Sequence, residues 1–222
     1  MDIMEAMQLR HSVRRYTDKK IEGEVLAELK SEIEACNQES GLNIQLITDE
    51  PNAFTGGLAH YGHFSGVQNY IALIGKKSAD LQEKSGYYGE RIVLKAQMLG
   101  LNTCWVALTF SKRKAKYKVD KGEKLVCVIS VGYGENHGKP HKNKFIDSLC
   151  KFYGDMPAWF MDGVQAAMLA PTATNQQKFC FHLLDGGKVR AEETGGFYSK
   201  VDLGIVKYHF ELGAGKENFE FV

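Results

Sequence analysis

The residues with the clearest capacity for chemistry lie near the N-terminus, in the segment Arg10-His11-Ser12-Val13-Arg14. Two guanidinium groups four residues apart, with a hydroxyl between them, can converge on one dianionic group. Arginine presents a fork matched to phosphate oxygens, and serine adds a short donor. The segment follows a short helical pattern of Ile3, Met4 and Met7. A solvated basic turn at the end of that helix is the alternative, and local physics alone favours it slightly.

A second polar segment, Pro171–Gln177 (PTATNQQ), follows the small residues of Ala166–Ala170. Proline disfavours helical backbone at the preceding residue, so a helix is expected to end at Ala170. The hydroxyl and amide groups of the loop can hydrogen-bond a heteroaromatic ring that carries both donors and acceptors. An ordinary connection between a helix and a strand accounts for the pattern equally well.

Two further segments are candidates for ligand contact. The small residues of Gly100–Leu108 (GLNTCWVAL) allow close approach of the backbone to a flat ligand, with core packing as the alternative. Lys142 and Lys144 project to one side of an extended chain and could add charge to a phosphate, unless they are a solvated charge run. No phosphate-binding P-loop, dinucleotide glycine fingerprint, zinc spacing or serine nucleophile elbow is present, and no metal site is predicted.

Composition limits the classes of protein that fit. The 222 residues carry 28 basic and 27 acidic side chains, a near-neutral balance that argues against nucleic acid or an anionic membrane surface as a partner. No apolar run approaches the roughly 20 residues that span a bilayer, and the start Met1–Glu5 does not resemble a secretory signal. Five widely spaced cysteines are expected to be buried, reduced thiols, which makes the cytoplasm the expected location.

Hydrophobic periodicity predicts helices and strands in alternation. Residues 135–144 form a polar linker. The same order of predicted elements occurs before and after this linker. A short motif is also repeated at the same spacing: Ile92-Val93 followed by Leu99-Gly100, and Ile205-Val206 followed by Leu212-Gly213. This repetition indicates a decayed duplication of a half-domain. The predicted helices cover residues 26–36, 89–99, 160–168 and 201–213, and the predicted strands cover 43–48, 69–75, 124–131 and 178–184.

Together the four segments resemble the nitroreductase family of FMN-dependent enzymes that use NAD(P)H. The family's Arg-x-Ser-x-Arg motif matches Arg10–Arg14, and its Ala-Pro-Ser-x-x-Asn-x-Gln motif is approached by Ala170–Gln177. Its Gly-Leu-Gly-Thr-Cys-Trp stretch is similar to Gly100–Trp105, with Asn102 in place of a glycine. Its late strand, which ends in Gly-Tyr before a basic pair, is similar to Gly132-Tyr133 with Lys142 and Lys144.

The resemblance implies an α+β fold with a central mixed or antiparallel sheet and helices on both faces. In this chain the Pro-containing motif lies in the second half, whereas family members carry it soon after the first motif. We therefore expect a single-chain pseudo-dimer, with residues 1–150 holding the phosphate, residues 151–222 supplying the second loop, and one FMN bound to one compact unit. A monomer is favoured, and a homodimer is the alternative.

The resemblance also implies roles for particular residues. Arg10, Ser12 and Arg14, with His11 beside them, would bind the FMN phosphate with help from Lys142 and Lys144. A backbone amide at Ala107 or Leu108 would face flavin N5, and no catalytic side chain is needed. The loop residues that would contact the ring or ribityl chain are Pro171, Thr172, Asn175 and Gln177.

The expected function is hydride transfer from NAD(P)H through flavin N5 to a small electron-poor acceptor, such as a nitroaromatic compound or a quinone. Two alternatives remain open at this point: a flavin-dependent dehydrogenase or dehalogenase on the same scaffold, and a flavin-binding or sensory protein without turnover. The acceptor is expected to meet a variable loop, such as Asn52–Val67.

Overall fold

A computed structural model describes residues 1–222, which divide into two compact units. Unit 1 comprises residues 1–81 and 92–140, and unit 2 comprises residues 82–91 and 141–222. One long helix therefore contributes to both units. The elements of the first part of the chain are α1 (Ile3–Leu9), α2 (Gly23–Ser40), β1 (Gln45–Ile47), α3 (Gly57–Tyr61), β2 (Tyr70–Lys76), α4 (Leu81–Met98), β3 (Asn102–Val106) and β4 (Glu123–Gly132).

The sheet of unit 1 has four antiparallel strands in the order β1-β2-β4-β3. Its centre is the β2–β4 pair, in which Tyr70 lies opposite Ser130. Every residue of β2 except Lys76 is buried, because a central strand covered on both faces must be apolar throughout. An aromatic cluster of Phe54, Phe64, Tyr70 and Phe110 packs into the same core.

Unit 2 has its own four-stranded sheet, in the order β5-β6-β7-β8. The outer pairs are parallel and the central β6–β7 pair is antiparallel, so this sheet is mixed. Its helices pack closely, since a Cβ atom at Gly213 of α6 would lie 2.4 Å from the Ala166 Cβ of α5. The elements are β5 (Cys150–Lys151), α5 (Ala158–Ala167), β6 (Phe179–Leu183), β7 (Lys188–Glu193), α6 (Ser199–Ala214) and β8 (Glu220–Phe221).

Residues 82–91 of α4 belong to unit 2 because they cross α6 at a very short distance. A Cβ atom at Gly204 would lie 1.9 Å from the Glu83 carbonyl oxygen, and one at Gly86 would lie 2.0 Å from the Val201 carbonyl oxygen. Only glycine permits this approach. At the same crossing, His209 Nε2 lies 3.0 Å from Glu90 Oε1, and both side chains are fully buried.

The predicted class, α+β with mixed and antiparallel strand pairing, is confirmed, with the strands distributed over two sheets. Each predicted helix and strand is present within a few residues of its expected bounds, although α4 begins eight residues earlier than predicted. The polar residues 135–144 contain neither helix nor strand, as expected of a linker. All five cysteines are buried and free. No helix combines the length and the apolar character needed to cross a bilayer.

Candidate functional site

The Arg10–Arg14 segment is held at fixed points of unit 1. Arg10 caps the C-terminus of α1, and its backbone N–H donates to the Ala6 carbonyl at 2.9 Å. Ser12 forms a bridge with Thr103 of β3, and the Val13 N–H donates to the Thr103 carbonyl at 3.0 Å. The Val13 side chain is 1% exposed. The segment is therefore anchored to the sheet, so it is more than a solvated turn.

Three side chains predicted to bind phosphate interact with the thiol of Cys104, which follows Thr103 in β3. Burial raises the pKa of this thiol, while the positive charge of Arg14, a hydrogen bond with Ser12 and the positive charge of Arg10 act to lower it. Burial prevails, so the thiol is neutral near pH 7. Arg10, Ser12 and Arg14 thus all lie within electrostatic or hydrogen-bonding reach of the same thiol.

The two guanidinium groups differ in exposure. Arg10 is 3% exposed, whereas Arg14 reaches the surface and lies 6.0 Å from the centre of the Phe64 ring. The charge of buried Arg10 lies in a region of low dielectric, where an anion interacts with it more strongly than in water. We call Arg10, Ser12 and Arg14 with the adjacent Cys104 the arginine cluster.

Tyr16 fixes the far end of this segment, a role that local sequence did not reveal. Its hydroxyl donates to the Val13 carbonyl at 2.7 Å and lies 2.8 Å from Ser130 Oγ of β4. The Tyr16 N–H donates to the Ser65 carbonyl at 3.1 Å. Burial raises the pKa of the Tyr16 phenol far above its usual value, so the hydroxyl keeps its proton. The only sequence signal was a tyrosine directly after a basic run.

Asn102, which replaces a glycine of the motif that Gly100–Trp105 resembles, has a structural role in unit 1. Its Oδ1 accepts a hydrogen bond from the Gly134 N–H at 3.0 Å and so ties the start of β3 to the segment after β4. A Cβ atom at Gly134 would lie 2.8 Å from Val13 Cγ1. The replacement at position 102 therefore reinforces the support of the arginine cluster.

His11 lies beneath the linker that follows β4. A Cβ atom at Gly138 would lie 2.7 Å from the His11 Cβ and 3.0 Å from the Ser12 carbonyl oxygen, and Gly138 has φ +72°. Both constraints require glycine at this position. The linker thus passes directly over the segment that carries the arginine cluster.

Ala107 and Leu108 follow the last residue of β3, at the opposite end of the strand from Thr103. Val106 lies three positions after Thr103 in the strand, a distance of roughly 10 Å. Leu108 is 57% exposed. The next residue, Thr109, lies against α3, because a Cβ atom at Gly62 would be 2.7 Å from the Thr109 Cβ. The predicted acceptor loop and the predicted N5 contact are therefore neighbours within unit 1.

The second predicted set lies in unit 2 and forms one hydrogen-bonded network. Gln177, 2% exposed, donates from Nε2 to the Lys142 carbonyl at 2.8 Å and to Asn175 Oδ1 at 3.0 Å. Asn175 Nδ2 donates to the same Lys142 carbonyl at 2.8 Å. Lys144 donates from its backbone N–H to Gln177 Oε1 and from Nζ to the Gln177 carbonyl. Both amide protons of Gln177 are thus engaged within the chain.

The loop that carries these residues has strained backbone. Thr174, Asn175 and Gln177 have φ angles of 52°, 55° and 44°, in the left-handed region that residues other than glycine seldom adopt. Pro171 is buried at its start, and Thr172 Oγ1 accepts from the Gln177 N–H at 3.0 Å. Strain of this kind persists only when the surroundings hold it, and it is concentrated at functional sites.

Asp202, in the first turn of α6, holds the other side of this loop and was not predicted. The Ala173 N–H lies 2.9 Å from Oδ1 and 3.1 Å from Oδ2, and Gln176 Nε2 donates to Oδ2 at 2.7 Å. Burial raises the pKa of Asp202 to about 6, although the bonds from Gln176 and Ala173 oppose the shift. An acidic residue 29 positions away from its main partner leaves no local sequence signal.

Comparisons with known proteins agree on the fold. A solved structure from Thermotoga maritima, described as a putative nitroreductase, is 23% identical with a TM-score of 0.65, and the match covers 98% of this chain and 85% of that one. A Desulfovibrio desulfuricans protein described as a putative nitroreductase in complex with FMN is 19% identical with a TM-score of 0.54, covering 71% of this chain and 99% of that one.

A Streptococcus pneumoniae protein described as a nitroreductase family protein is 16% identical with a TM-score of 0.52, covering 66% of this chain and 98% of that one. No protein with a curated description matches the sequence. The profile of the family described as "Putative TM nitroreductase" matches residues 2–214. Since that match spans nearly the whole sequence, the chain belongs to this nitroreductase family.

Proposed function

We propose that this protein is an FMN-dependent oxidoreductase that passes hydride from NAD(P)H through flavin N5 to a small electron-poor acceptor, such as a nitroaromatic compound or a quinone. The observation that carries the proposal is that Arg10, Ser12 and Arg14, on a segment anchored to Thr103 of β3, all interact with the neighbouring Cys104 thiol. Membership of the family supports it, as does the FMN complex of the Desulfovibrio relative.

The chemistry of the arginine cluster fits the phosphate of FMN. Two guanidinium groups and a hydroxyl are donors without a negative charge of their own, and a phosphate monoester brings nearly two negative charges near pH 7. The adjacent thiol cannot supply a balancing charge, because burial raises its pKa. A dianion at this position would therefore receive charge-assisted hydrogen bonds from Arg10, Ser12 and Arg14, with His11 beside it.

We assign the remaining contacts to the residues predicted from the sequence. Pro171, Thr172 and Asn175 would line the ring or the ribityl chain. Gln177 would contribute through the second lone pair of Oε1, because its amide protons are engaged and Oε1 already accepts one bond from the Lys144 N–H. Lys142 and Lys144 would add positive charge toward the phosphate. A backbone N–H at Ala107 or Leu108 would face N5. One FMN per chain and a single-chain pseudo-dimer remain part of this proposal.

FMN, when bound, supplies the hydride-accepting ring, so the chain need only bind, orient and stabilise charge. The cationic residues would favour negative charge on the reduced cofactor. The segment Asn52–Val67 would meet the nicotinamide and the acceptor in turn, since its Gly62 packs against Thr109, the residue after the exposed Leu108. Alternate use of one pocket predicts ping-pong kinetics.

The test compares the wild type with Arg10→Ala/Arg14→Ala, with Arg14→Ala alone, and with Arg15→Ala as the matched control. Arg15 is an exposed arginine directly after the Arg10–Arg14 segment and outside the proposed phosphate contacts. Each lost charge-assisted bond weakens binding by about tenfold or more, so the double variant should bind FMN at least about 100-fold more weakly. Arg15→Ala should retain wild-type affinity. Equal affinity in the double variant and the control would overturn the proposed phosphate site.

Turnover requires a second measurement on the reconstituted wild type. Anaerobic addition of NADH or NADPH should bleach the flavin absorbance, and a quinone or nitroaromatic compound should restore it. A yellow protein that neither nicotinamide bleaches would instead be a flavin-binding protein without this activity. Native mass spectrometry with flavin titration tests stoichiometry, and a dimer that loses its flavin on dissociation would refute the single-chain site.

A further inference from the structure

We propose that Asp202 is a positioning residue for the flavin-facing loop Thr172–Gln177, and that its two carboxylate oxygens fix the loop geometry that FMN requires. The inference rests on the proposed function, because it takes this loop to contact FMN. Asp202 lies in α6, outside this loop and outside the sequence motif from which the loop was predicted.

The need for an anchor follows from the backbone of the loop. Thr174, Asn175 and Gln177 all occupy the left-handed region, and Thr174 is β-branched, which makes that conformation unusually unfavourable. A free six-residue loop would relax out of this conformation. Contacts from outside the loop must therefore maintain it.

The anchors act on two sides of the loop. Lys142 and Lys144 hold Asn175 and Gln177 on one side. Asp202 holds the other side through its bonds with Ala173 and Gln176. Gln176 Nε2 also donates to the Phe197 carbonyl at 2.7 Å, so its amide orientation is fixed from two directions.

A carboxylate suits this position better than the amide of asparagine would. Both Ala173 and Gln176 present donors, and a carboxylate has two oxygens that only accept. Asparagine could accept from one of them, but its NH₂ group would oppose the other donor. Gln176 could rotate to relieve this conflict only by giving up its bond to Phe197. The asparagine variant should therefore retain part of the anchor, and an alanine variant none.

The position of Asp202 allows it to act as a rigid support. The residue is 3% exposed and lies in the first turn of a buried helix, where the helix dipole favours a negative charge. Helix α6 packs closely on α5, as the short Gly213–Ala166 approach requires. The loop is thus tied to a closely packed part of unit 2.

The experiment measures FMN affinity and the visible absorption and circular dichroism of bound flavin in the wild type, Asp202→Ala and Asp202→Asn. Glu90→Gln is the matched control, since Glu90 is a fully buried carboxylate of the same unit that is bonded to His209. Asp202→Ala should weaken FMN binding at least about tenfold, the size of one lost charge-assisted bond, and alter the flavin spectrum.

Asp202→Asn should give an intermediate affinity, and Glu90→Gln should lower stability while leaving the affinity and the spectrum unchanged. Wild-type affinity and an unaltered spectrum in folded Asp202→Ala would overturn the inference while leaving the proposed function intact. If Asp202→Ala does not fold, Asp202→Asn decides, and a spectrum identical to that of the wild type at equal affinity would overturn it. A wild type that binds no FMN would remove the proposed function and this inference with it.

Discussion

Gly204→Ala should destabilise the protein, although alanine is the better helix former. Gly204 lies inside α6, where the exchange would ordinarily gain about 1 kcal/mol. Here the added Cβ atom would lie 1.9 Å from the Glu83 carbonyl oxygen and 2.6 Å from the Tyr87 nitrogen. Both are backbone atoms of α4, so no side-chain rotation can relieve the clash, and the two helices must move apart.

The size of the effect follows from what that movement disturbs. Overpacking of a close-packed site costs about 1–3 kcal/mol. Separation of the helices would also lengthen the buried His209–Glu90 contact and the bond between Tyr87 and Glu211. Complete disruption of a buried pair such as His209–Glu90 costs about 3–5 kcal/mol. A small separation of the helices would cost only part of that free energy. After subtraction of the propensity gain, we expect a net loss of about 3 kcal/mol.

Thermal unfolding followed by far-UV circular dichroism measures this effect. For a chain of this size, a loss of about 3 kcal/mol lowers Tm by roughly 6–12 °C. Gly57→Ala in α3 is the matched control, because a Cβ atom there meets nothing within 4 Å, and its Tm should stay the same or rise slightly. An increase in Tm for Gly204→Ala, similar to that of the control, would show that the close crossing of α4 and α6 is wrong.

Two further predictions concern the residues that support the candidate site. The folded-state pKa of Asp202 is about 6 against a usual 3.8, so the folded protein binds this proton more tightly than the unfolded chain does. The resulting stabilisation is fully present below about pH 4 and is lost as pH rises through 6. The wild type should therefore lose about 3 kcal/mol relative to Asp202→Asn between about pH 4 and about pH 7.5, measured by urea unfolding; parallel pH profiles would contradict this. Tyr16→Phe should cost about 1–3 kcal/mol in the same assay, because it leaves the buried Val13 carbonyl without its donor. The partly exposed Tyr133→Phe serves as its control, and equal stability of the two variants would argue against the role of Tyr16.

Local patterns in the sequence predicted the elements whose burial is periodic or continuous. The strand β2 is apolar along nearly its whole length, and α6 repeats buried residues at helical spacing. The hydrophobic pattern did not predict β3, because this strand begins with the buried polar residues Asn102 and Thr103. Their burial depends on contacts with residues distant in sequence, such as the bond between Asn102 and Gly134. It also did not predict β7, where charged side chains obscure the alternation.

In the candidate site, too, local sequence predicted some residues and missed others. Arg10, Ser12 and Arg14 were predicted because their types and spacing are visible in five consecutive residues. Tyr16 and Asp202 were not predicted to support the site, because their partners are distant in sequence. The Tyr16 hydroxyl meets Ser130, 114 residues away, and Asp202 meets Ala173, 29 residues away. Such contacts are set by the packing of the sheet and helices and not by local propensity.

The visible absorption spectrum of the purified protein reconstituted with FMN tests the central claim most directly. After removal of free FMN by gel filtration, the wild type and Arg15→Ala should retain flavin absorbance, and Arg10→Ala/Arg14→Ala should be colourless while still folded. Retention of full flavin absorbance by the folded double variant, or a colourless wild type, would contradict the account.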